Sequence, residues 1–165
     1  MKAKIKHYIK EILLFIFVMS IFANVISLYK ARDLNKSTLS LQTQKLIDAS
    51  TYTIPNNKPL MLHFWATWCP ICKAEADNVE RLSHYYNVVT VAVNSGTDYE
   101  IKKYLDERDL TFKVINDKDG SLAKHLNVNV YPTTFIYNKN KTLLFSEVGY
   151  TSSFGLWIRM LWASL

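Results

Sequence analysis

The stretch His63–Cys72, HFWATWCPIC, contains both cysteines of this 165-residue chain. It completes an apolar run, and only Pro70 and Ile71 separate the two thiols. Three uses suit such a close pair: a structural disulfide, a metal site or thiol–disulfide exchange. The sequence on either side distinguishes between these uses and predicts the fold that holds the pair.

Segments typical of strands alternate with segments typical of helices from residue 59 to the end of the chain. The apolar and β-branched runs predict strands at 59–66, 87–93, 111–117, 132–138 and 142–148. Helices are predicted at 70–86, 98–108 and 151–165, and a short helix is predicted within 120–128. This alternation predicts an α/β domain with a central sheet flanked by helices, and the hairpin at 132–148 makes one edge of the sheet antiparallel.

Finer expectations follow for three of the helices. On the first, an apolar face is predicted at Ile71, Ala74, Val79, Leu82 and Tyr86. Asp98 is expected as the N-cap of the second helix. The tryptophans of the last helix, Trp157 and Trp162, are expected to pack into the core.

Residues 12–29, ILLFIFVMSIFANVISLY, form a run of 18 residues without a charge. A helix rises about 1.5 Å per residue, so this run nearly spans a hydrocarbon layer of about 30 Å. Four lysines precede it and Lys30 and Arg32 follow it, which favours a cytoplasmic N-terminus. The expectation is a single-pass anchor with the rest of the chain exported. A cleaved secretory signal is the alternative.

The charge is concentrated beside this run. Of the net charge of +6, +5 lies in residues 1–32, which suits a membrane surface and gives no indication of a nucleic-acid partner. Residues 31–50 are polar with scattered leucines and predict a tether or a short helical lead-in. The expected organisation is therefore a cytoplasmic N-terminus and anchor at 1–30, a tether at 31–50 and a folded domain at 51–165.

A structural or metal role explains the two cysteines less well than redox chemistry does. A disulfide between them closes a very small loop and removes little entropy from the unfolded chain. A zinc site requires two further ligands, and the four histidines lack a suitable spacing. No metal ligand or cofactor is therefore assigned, although a copper(I)-binding assembly protein is kept as an alternative.

Redox chemistry has a physical basis in the predicted position of the cysteines. Cys69 falls at the N-cap of the helix 70–86, where unpaired N–H groups and the helix dipole favour an anion. This lowers the pKa of a thiol and makes it a better nucleophile. Cys72 lies one turn further on, where it can attack a mixed disulfide on Cys69 and release the substrate. Pro70 suits the first turn because its missing N–H would be unpaired there.

Two segments resemble the thioredoxin superfamily. FWATWCPIC, at 64–72, is similar to its active-site segment, and VNVYPTTFIY, at 128–137, is similar to its second signature, an X-Pro bond held cis opposite the dithiol. The resemblance implies a thioredoxin-like fold over residues 51–165 and a redox-active disulfide between Cys69 and Cys72. It also implies a cis bond before Pro132.

The same resemblance assigns the surroundings of the dithiol. Trp68 would shield the sulfurs, and Tyr131 would offer its backbone to an extended substrate beside Pro132. His63 stands where thioredoxin has a buried aspartate, and it either exchanges a proton with Cys72 or is a core histidine with a backbone partner.

The helix–strand unit at 98–117 and the N-terminal anchor resemble membrane-tethered TlpA/ResA/DsbE-like periplasmic thioredoxins, including ScsD-type proteins linked to copper tolerance. Glu75 matches a glutamate that tunes the thiols in ResA-like members, the alternative being a solvated helix acid. The resemblance implies a protein-disulfide reductase that acts on oxidised exported proteins, in cytochrome c maturation or copper stress, and is re-reduced by a membrane electron donor of DsbD/CcdA type. A disulfide donor or isomerase of DsbA type is the alternative in the opposite direction.

Overall fold

The computed structural model of the chain describes residues 2–30, 34 and 43–165. The elements in these residues are α1 (Lys2–Lys30), β1 (Thr43–Lys45), β2 (Thr51–Thr53), β3 (Leu60–Trp65), α2 (Pro70–Ser83), β4 (Val88–Val93), α3 (Asp98–Asp106), β5 (Lys113–Asp117), α4 (Ser121–His125), β6 (Thr133–Tyr137), β7 (Leu143–Val148) and α5 (Ser153–Ser164).

Five strands form a mixed sheet in the order β5-β4-β3-β6-β7. β3 pairs in parallel with β4, and β4 in parallel with β5. β6 runs antiparallel to β3, and β7 runs antiparallel to β6. The predicted central sheet with one antiparallel edge is therefore confirmed. β3 lies in the middle and is buried along its whole length, which is why nearly every one of its residues is apolar.

The two faces of the sheet carry separate apolar clusters. Because side chains alternate along a strand, Met61 and Trp65 of β3 point to one face while Leu62 and Phe64 point to the other. The first face is covered by α2, α3 and α5. The second is covered by α4 and by the segment around the β1–β2 hairpin. The result is the layered α/β architecture expected from the sequence.

α2 begins at Pro70 as predicted, but it buries a different face. The buried side chains of α2 are Cys72, Glu75, Ala76, Val79 and Leu82. The expected face included two of these residues, whereas its members at positions 71 and 74 are exposed. The error arose because one residue of the buried face of α2 is the acid Glu75, so the spacing of the apolar residues alone did not identify this face.

The segment before the sheet contains a strand. β1 lies within the stretch 31–50 expected to be a tether or helical lead-in, and it forms a separate two-stranded antiparallel sheet with β2. A strand of three residues is too short for a pattern of alternation to identify. The remainder of the expected tether, 31–33 and 35–42, lies outside the described residues.

α1 covers the run expected to cross a membrane. Within the part of the chain that the structure describes, no helix combines the length and the apolar character needed to span a bilayer. The predicted transmembrane anchor is therefore not confirmed by the structure.

The last helix differs from expectation in the position of its tryptophans. Trp157 is 45% exposed and Trp162 is 65% exposed, so the prediction that both pack into the core is wrong. The core-facing residues of α5 are Leu156, Met160 and Ala163. Their spacing of three to four residues gives one helix face, and the tryptophans lie outside it.

Candidate active site

Cys69 and Cys72 form a disulfide at the N-terminus of α2, with their Cα atoms 5.3 Å apart. Cys69 is the N-cap, with extended backbone at φ −85° and ψ 116°, and Pro70 takes the first helical position. The backbone N–H of Cys72 donates a hydrogen bond of 3.2 Å to the Sγ of Cys69. In the reduced state this N–H and the positive end of the helix stabilise a thiolate on Cys69.

The second signature lies against the disulfide. The peptide bond between Tyr131 and Pro132 is cis, as the resemblance implied. The carbonyl oxygen of Tyr131 is 3.7 Å from the Sγ of Cys69. A backbone acceptor is thus presented directly beside the sulfur that would form a mixed disulfide.

Trp68 and Tyr131 form an aromatic wall on the outer side of the pair. Their rings meet edge to face, with centroids 5.9 Å apart. The indole N–H of Trp68 donates a hydrogen bond of 3.1 Å to the carbonyl oxygen of Asn94, which fixes a side chain that is 58% exposed. The ring is therefore held in place while its face is left open to solvent.

Asn94 and Ser95 are site residues that the sequence interpretation missed. The backbone N–H of Thr67 donates a hydrogen bond of 3.1 Å to the buried Oγ of Ser95. Both residues follow β4 directly, and the carboxyl ends of parallel strands meet at one edge of a sheet. The position of Asn94 and Ser95 after β4 could therefore have placed them beside the loop from β3 to α2.

His63 is buried in the sheet on the face that α2 covers. Its Nδ1 lies 2.9 Å from the Oγ1 of Thr134, its partner across β3 and β6. Burial lowers the pKa of His63 to about 3, so the imidazole is neutral at physiological pH. The expected alternative, a core histidine with a backbone partner, is corrected in one respect, since the partner is a side-chain hydroxyl.

Glu75 is completely buried, which contradicts its interpretation as a solvated helix acid. Its Oε1 accepts a hydrogen bond of 3.2 Å from the backbone N–H of Thr151, and its Oε2 has no partner among the described residues. Burial raises the pKa of Glu75 to about 8, the negative charge of Glu147 adds to the rise, and the Thr151 N–H opposes it. The carboxyl is therefore mostly protonated at neutral pH.

The structure brings the predicted residues together in two groups. Glu75 follows Cys72 by three residues on the buried face of α2, so the acid lies one turn behind the second sulfur. Trp68 and Tyr131 stand on the open side of the disulfide. Within the described residues, no group of three or more His, Cys, Asp or Glu side chains is placed to hold a metal ion.

This sheet order, with a disulfide at the start of the helix after β3 and a cis proline beside it, defines a thioredoxin-like redox protein. The chain belongs to the AhpC/TSA family, whose model matches residues 30–146. A "Thioredoxin-like protein" of Haemophilus influenzae is 34% identical over 164 residues, covering 98% of this chain and 96% of that one. The thiol-disulfide oxidoreductase ResA of Oceanobacillus iheyensis is 34% identical over 119 residues, 68% of this chain and 62% of that one.

Solved structures share the fold. StoA from Bacillus subtilis has a TM-score of 0.65 at 23% identity, covering 74% of this chain and 98% of that one. A secreted disulfide oxidoreductase of Mycobacterium tuberculosis, homologous to DsbE of E. coli, has a TM-score of 0.63 at 24% identity, covering 72% and 93%. Together with the Cys69–Cys72 pair, the family makes this chain a thiol–disulfide oxidoreductase of the ResA/StoA/DsbE type.

Proposed function

We propose that this protein reduces disulfides of exported proteins in the periplasm, with Cys69 as the attacking thiol and Cys72 as the resolving thiol. The observation that carries the proposal is the position of the disulfide, between the positive end of α2 and the Tyr131 backbone, with a protonated Glu75 behind it. Relatives named thiol-disulfide oxidoreductases support the same chemistry.

The reaction proceeds in two exchanges. The Cys69 thiolate attacks one sulfur of the substrate disulfide, the substrate S–S bond breaks, and the leaving sulfur takes a proton. Cys72 then loses its proton and attacks the Sγ of Cys69, which restores the Cys69–Cys72 disulfide and releases the second substrate thiol. Two electrons pass from the dithiol to the substrate, and an external dithiol must return them before the next cycle.

Glu75 is the better partner for the proton of Cys72. The ionised fraction of Glu75 takes this proton: an unperturbed thiol has a pKa of about 8.5, close to the pKa of about 8 of Glu75, so the transfer from thiol to carboxylate costs little. Transfer of the proton from an unperturbed thiol to His63, whose pKa is about 3, would cost roughly 7 kcal/mol. His63 accordingly acts as a neutral core residue that orders the sheet beneath the dithiol.

Substrate would dock along the backbone of Tyr131 and Pro132. The ring of Trp68 stands on one side of this track, and the side chains of Ile71 and Val130 are 49% and 39% exposed. An extended segment with apolar side chains therefore fits the surface around the disulfide better than a charged one. This is consistent with an unfolded or partly folded exported protein, such as an apocytochrome c or a client oxidised under copper stress.

The proposal includes attachment to the bacterial inner membrane through α1. Described apolar side chains of α1, such as Ile12, Leu13 and Phe17, are more than half exposed, and the first ten residues contain four lysines. A membrane donor of DsbD/CcdA type would return electrons to the oxidised pair there. Structures related in fold include a secreted oxidoreductase and an exposed lipoprotein thioredoxin of Streptococcus pneumoniae.

A redox titration of the full chain tests the direction of electron flow. The fraction of reduced Cys69–Cys72 is measured by thiol alkylation in defined dithiol/disulfide buffers. A potential near the thioredoxin value of about −270 mV is expected for a reductant. A potential near the DsbA value of about −120 mV would contradict the proposal and favour a disulfide donor or isomerase.

Variants of the two cysteines test the assigned roles. Cys69→Ser is expected to abolish disulfide reduction and to form no mixed disulfide with the substrate. Cys72→Ser is expected to retain the first attack and accumulate the mixed disulfide, visible as a shifted band without reductant. Equal trapping by both variants would overturn the assignment of Cys69 as the attacking thiol.

A further inference from the structure

The outward face of α5 is apolar along its whole length. Six large apolar residues of the helix and its C-cap are exposed by 42–87%: Phe154, Trp157, Ile158, Leu161, Trp162 and Leu165. Their intervals of three, one, three, one and three residues place them on a single stripe opposite the core-facing row. A surface helix normally presents polar side chains on this side, so the stripe requires a partner.

Charge is almost absent from this helix. Arg159 is the one charged residue between Ser153 and Ser164, and it is turned away from the stripe. Its Nε lies 2.7 Å from the Oε1 of Glu147, and its Nη1 donates to the carbonyl oxygen of Gly155 at 2.9 Å. The stripe therefore offers two indole N–H groups and otherwise only hydrocarbon and aromatic surface.

An apolar groove extends the stripe toward the C-terminal end of α2. It has a volume of about 420 Å³ and is lined by Arg81, Leu82, Tyr85, Ser153, Phe154 and Trp157. Tyr85 is 80% exposed, and Arg81 supplies the positive charge at the margin. Aromatic residues bordered by a basic side chain are typical of surfaces that lie at the boundary of a lipid bilayer.

We propose that the α5 stripe lies on the surface of the lipid bilayer to which α1 attaches the chain; this rests on the membrane attachment proposed above. The end of α1 and the start of β1 are separated by twelve residues, which span at most about 40 Å, so the domain stays close to that surface. The described apolar side chains of α1 and those of the stripe are all exposed, so these side chains of α1 do not cover the stripe.

A bilayer suits the stripe better than a protein partner does. Protein interfaces form about one hydrogen bond per 100–200 Å² and have a polar rim, whereas interfacial lipid contact needs neither. Tryptophan rings prefer the headgroup boundary, where the indole N–H meets water. Leu82 of the groove lies thirteen residues along α2 from Cys69, or about 20 Å, so contact at this end leaves the disulfide accessible.

Fluorescence quenching in reconstituted vesicles tests this orientation. The full chain is incorporated into phosphatidylethanolamine/phosphatidylglycerol vesicles with or without bromine on the upper acyl chain. Bromine is expected to quench at least a third of the tryptophan emission. The double variant Trp157→Phe/Trp162→Phe, which leaves only the two tryptophans near the dithiol, is expected to lose most of that quenching.

A charged substitution in the stripe provides a second test of the orientation. Trp162→Glu changes a side chain that is 65% exposed, so the fold and the reduction of a soluble disulfide should be unaffected. Quenching of Trp157 should fall several-fold while the protein still floats with the vesicles. Flotation with unquenched α5 tryptophans would overturn this inference alone, whereas failure to float would contradict the membrane attachment as well.

Self-association is the competing result. If the stripe instead joined two copies of the chain, Trp162→Glu would convert a dimer to a monomer in sedimentation experiments, and bromolipid would not quench α5 in the native chain. That combination would also overturn the bilayer orientation.

Discussion

The backbone N–H of Thr151 donates a hydrogen bond of 3.2 Å to the Oε1 of Glu75, which ties the segment before α5 to the helix that carries the disulfide. Asn78, one turn further along α2, strengthens the same connection, because its side chain contacts the carbonyl oxygen of Thr151 and the Oγ of Ser153. The buried acid is thus held by a fixed donor on one oxygen, while its Oε2 has no hydrogen-bond partner among the described residues.

Glu75→Gln should change how stability depends on pH. The pKa of Glu75 rises from its ordinary value of 4.5 to about 8, so the folded state binds this proton more tightly than the unfolded chain does. Stability conferred by the protonated acid is therefore full at low pH and falls as pH rises from about 4.5 to about 8. The Glu75→Gln variant keeps an acceptor for the Thr151 N–H but does not titrate, so its free energy of unfolding should not show this fall. Between about pH 4.5 and pH 8 the native chain should lose a few kcal/mol more than the variant.

Denaturant unfolding of the oxidised protein at several pH values measures this effect. Glu107→Gln is the matched control, because its side chain is 63% exposed and its contact with Lys103 is 3.9 Å long. The control should follow the native pH profile. Parallel profiles for Glu75→Gln and the native chain would show that burial does not raise the pKa of Glu75, and the match between the pKa of this acid and that of a thiol would be lost.

His63→Asn should act on the acidic side of the profile. Burial lowers the pKa of His63 from 6.5 to about 3, so the folded state binds fewer protons than the unfolded chain between these values. Stability from the neutral imidazole is full above about 6.5 and is lost as pH falls toward 3. Asparagine preserves a polar partner for Thr134 and removes the titration, so its melting temperature should fall less between pH 6.5 and pH 4.

The redox readout separates a core role of His63 from a catalytic one. If the imidazole only orders the sheet, His63→Asn should reduce disulfides at close to the native rate, with an unchanged pH profile of activity. A loss of an order of magnitude or more at pH 7, without a matching loss of stability, would show that His63 exchanges protons with Cys72 after all.

Some parts of this architecture could be predicted from the sequence, because local physics specifies them. Local sequence patterns identify three features without knowledge of the packing: the apolar run before Cys69, the start of α2 at Pro70 and the Tyr131–Pro132 segment. The positions of most strands and helices followed from the alternation of periods along the chain. These features make up the sheet and the position of the disulfide.

Other parts depend on contacts distant in sequence. Glu75 is buried because the segment at Thr151 covers it, and a single acid on α2 gives no sign of that cover. Trp157 and Trp162 are large apolar residues of the kind that often pack into a core. In α5, however, a different row of side chains packs against the core. The cap of α3 is Thr97, whose hydroxyl and the Glu100 carboxylate form a capping box, so the expected Asp98 cap was one residue late.

Glu80→Ala should lower stability without affecting redox chemistry. The carboxylate of Glu80 accepts hydrogen bonds from the backbone N–H groups of Thr111 and Phe112 at 2.8 and 3.1 Å, which joins α2 to the segment directly before β5. Its removal leaves two backbone donors without their acceptor and should cost about 2–4 kcal/mol. Asp77→Ala, an exposed acid on the same helix, should change stability by no more than about 0.5 kcal/mol.

Chemical denaturation and the redox potential are measured on both variants. The potential of Glu80→Ala should match the native value, since Glu80 lies more than two turns from Cys72 on α2. A shifted potential would mean that α2 transmits strain from its C-terminal half to the dithiol.

Trp68→Ala should weaken substrate binding more than it slows the exchange steps. The Trp68 ring is held by the Asn94 carbonyl and by Tyr131, so in the proposed docking mode it would give an extended substrate a rigid apolar wall at small entropic cost. Removing the ring should raise KM for a peptide disulfide roughly tenfold, on the order of 1.4 kcal/mol, with kcat within about twofold. Trp68→Phe keeps the aromatic face but loses the bond to Asn94, and should give an intermediate KM. A fall in kcat at constant KM would instead place Trp68 in the exchange chemistry, where contact with the Cys69 sulfur rather than with substrate determines the rate.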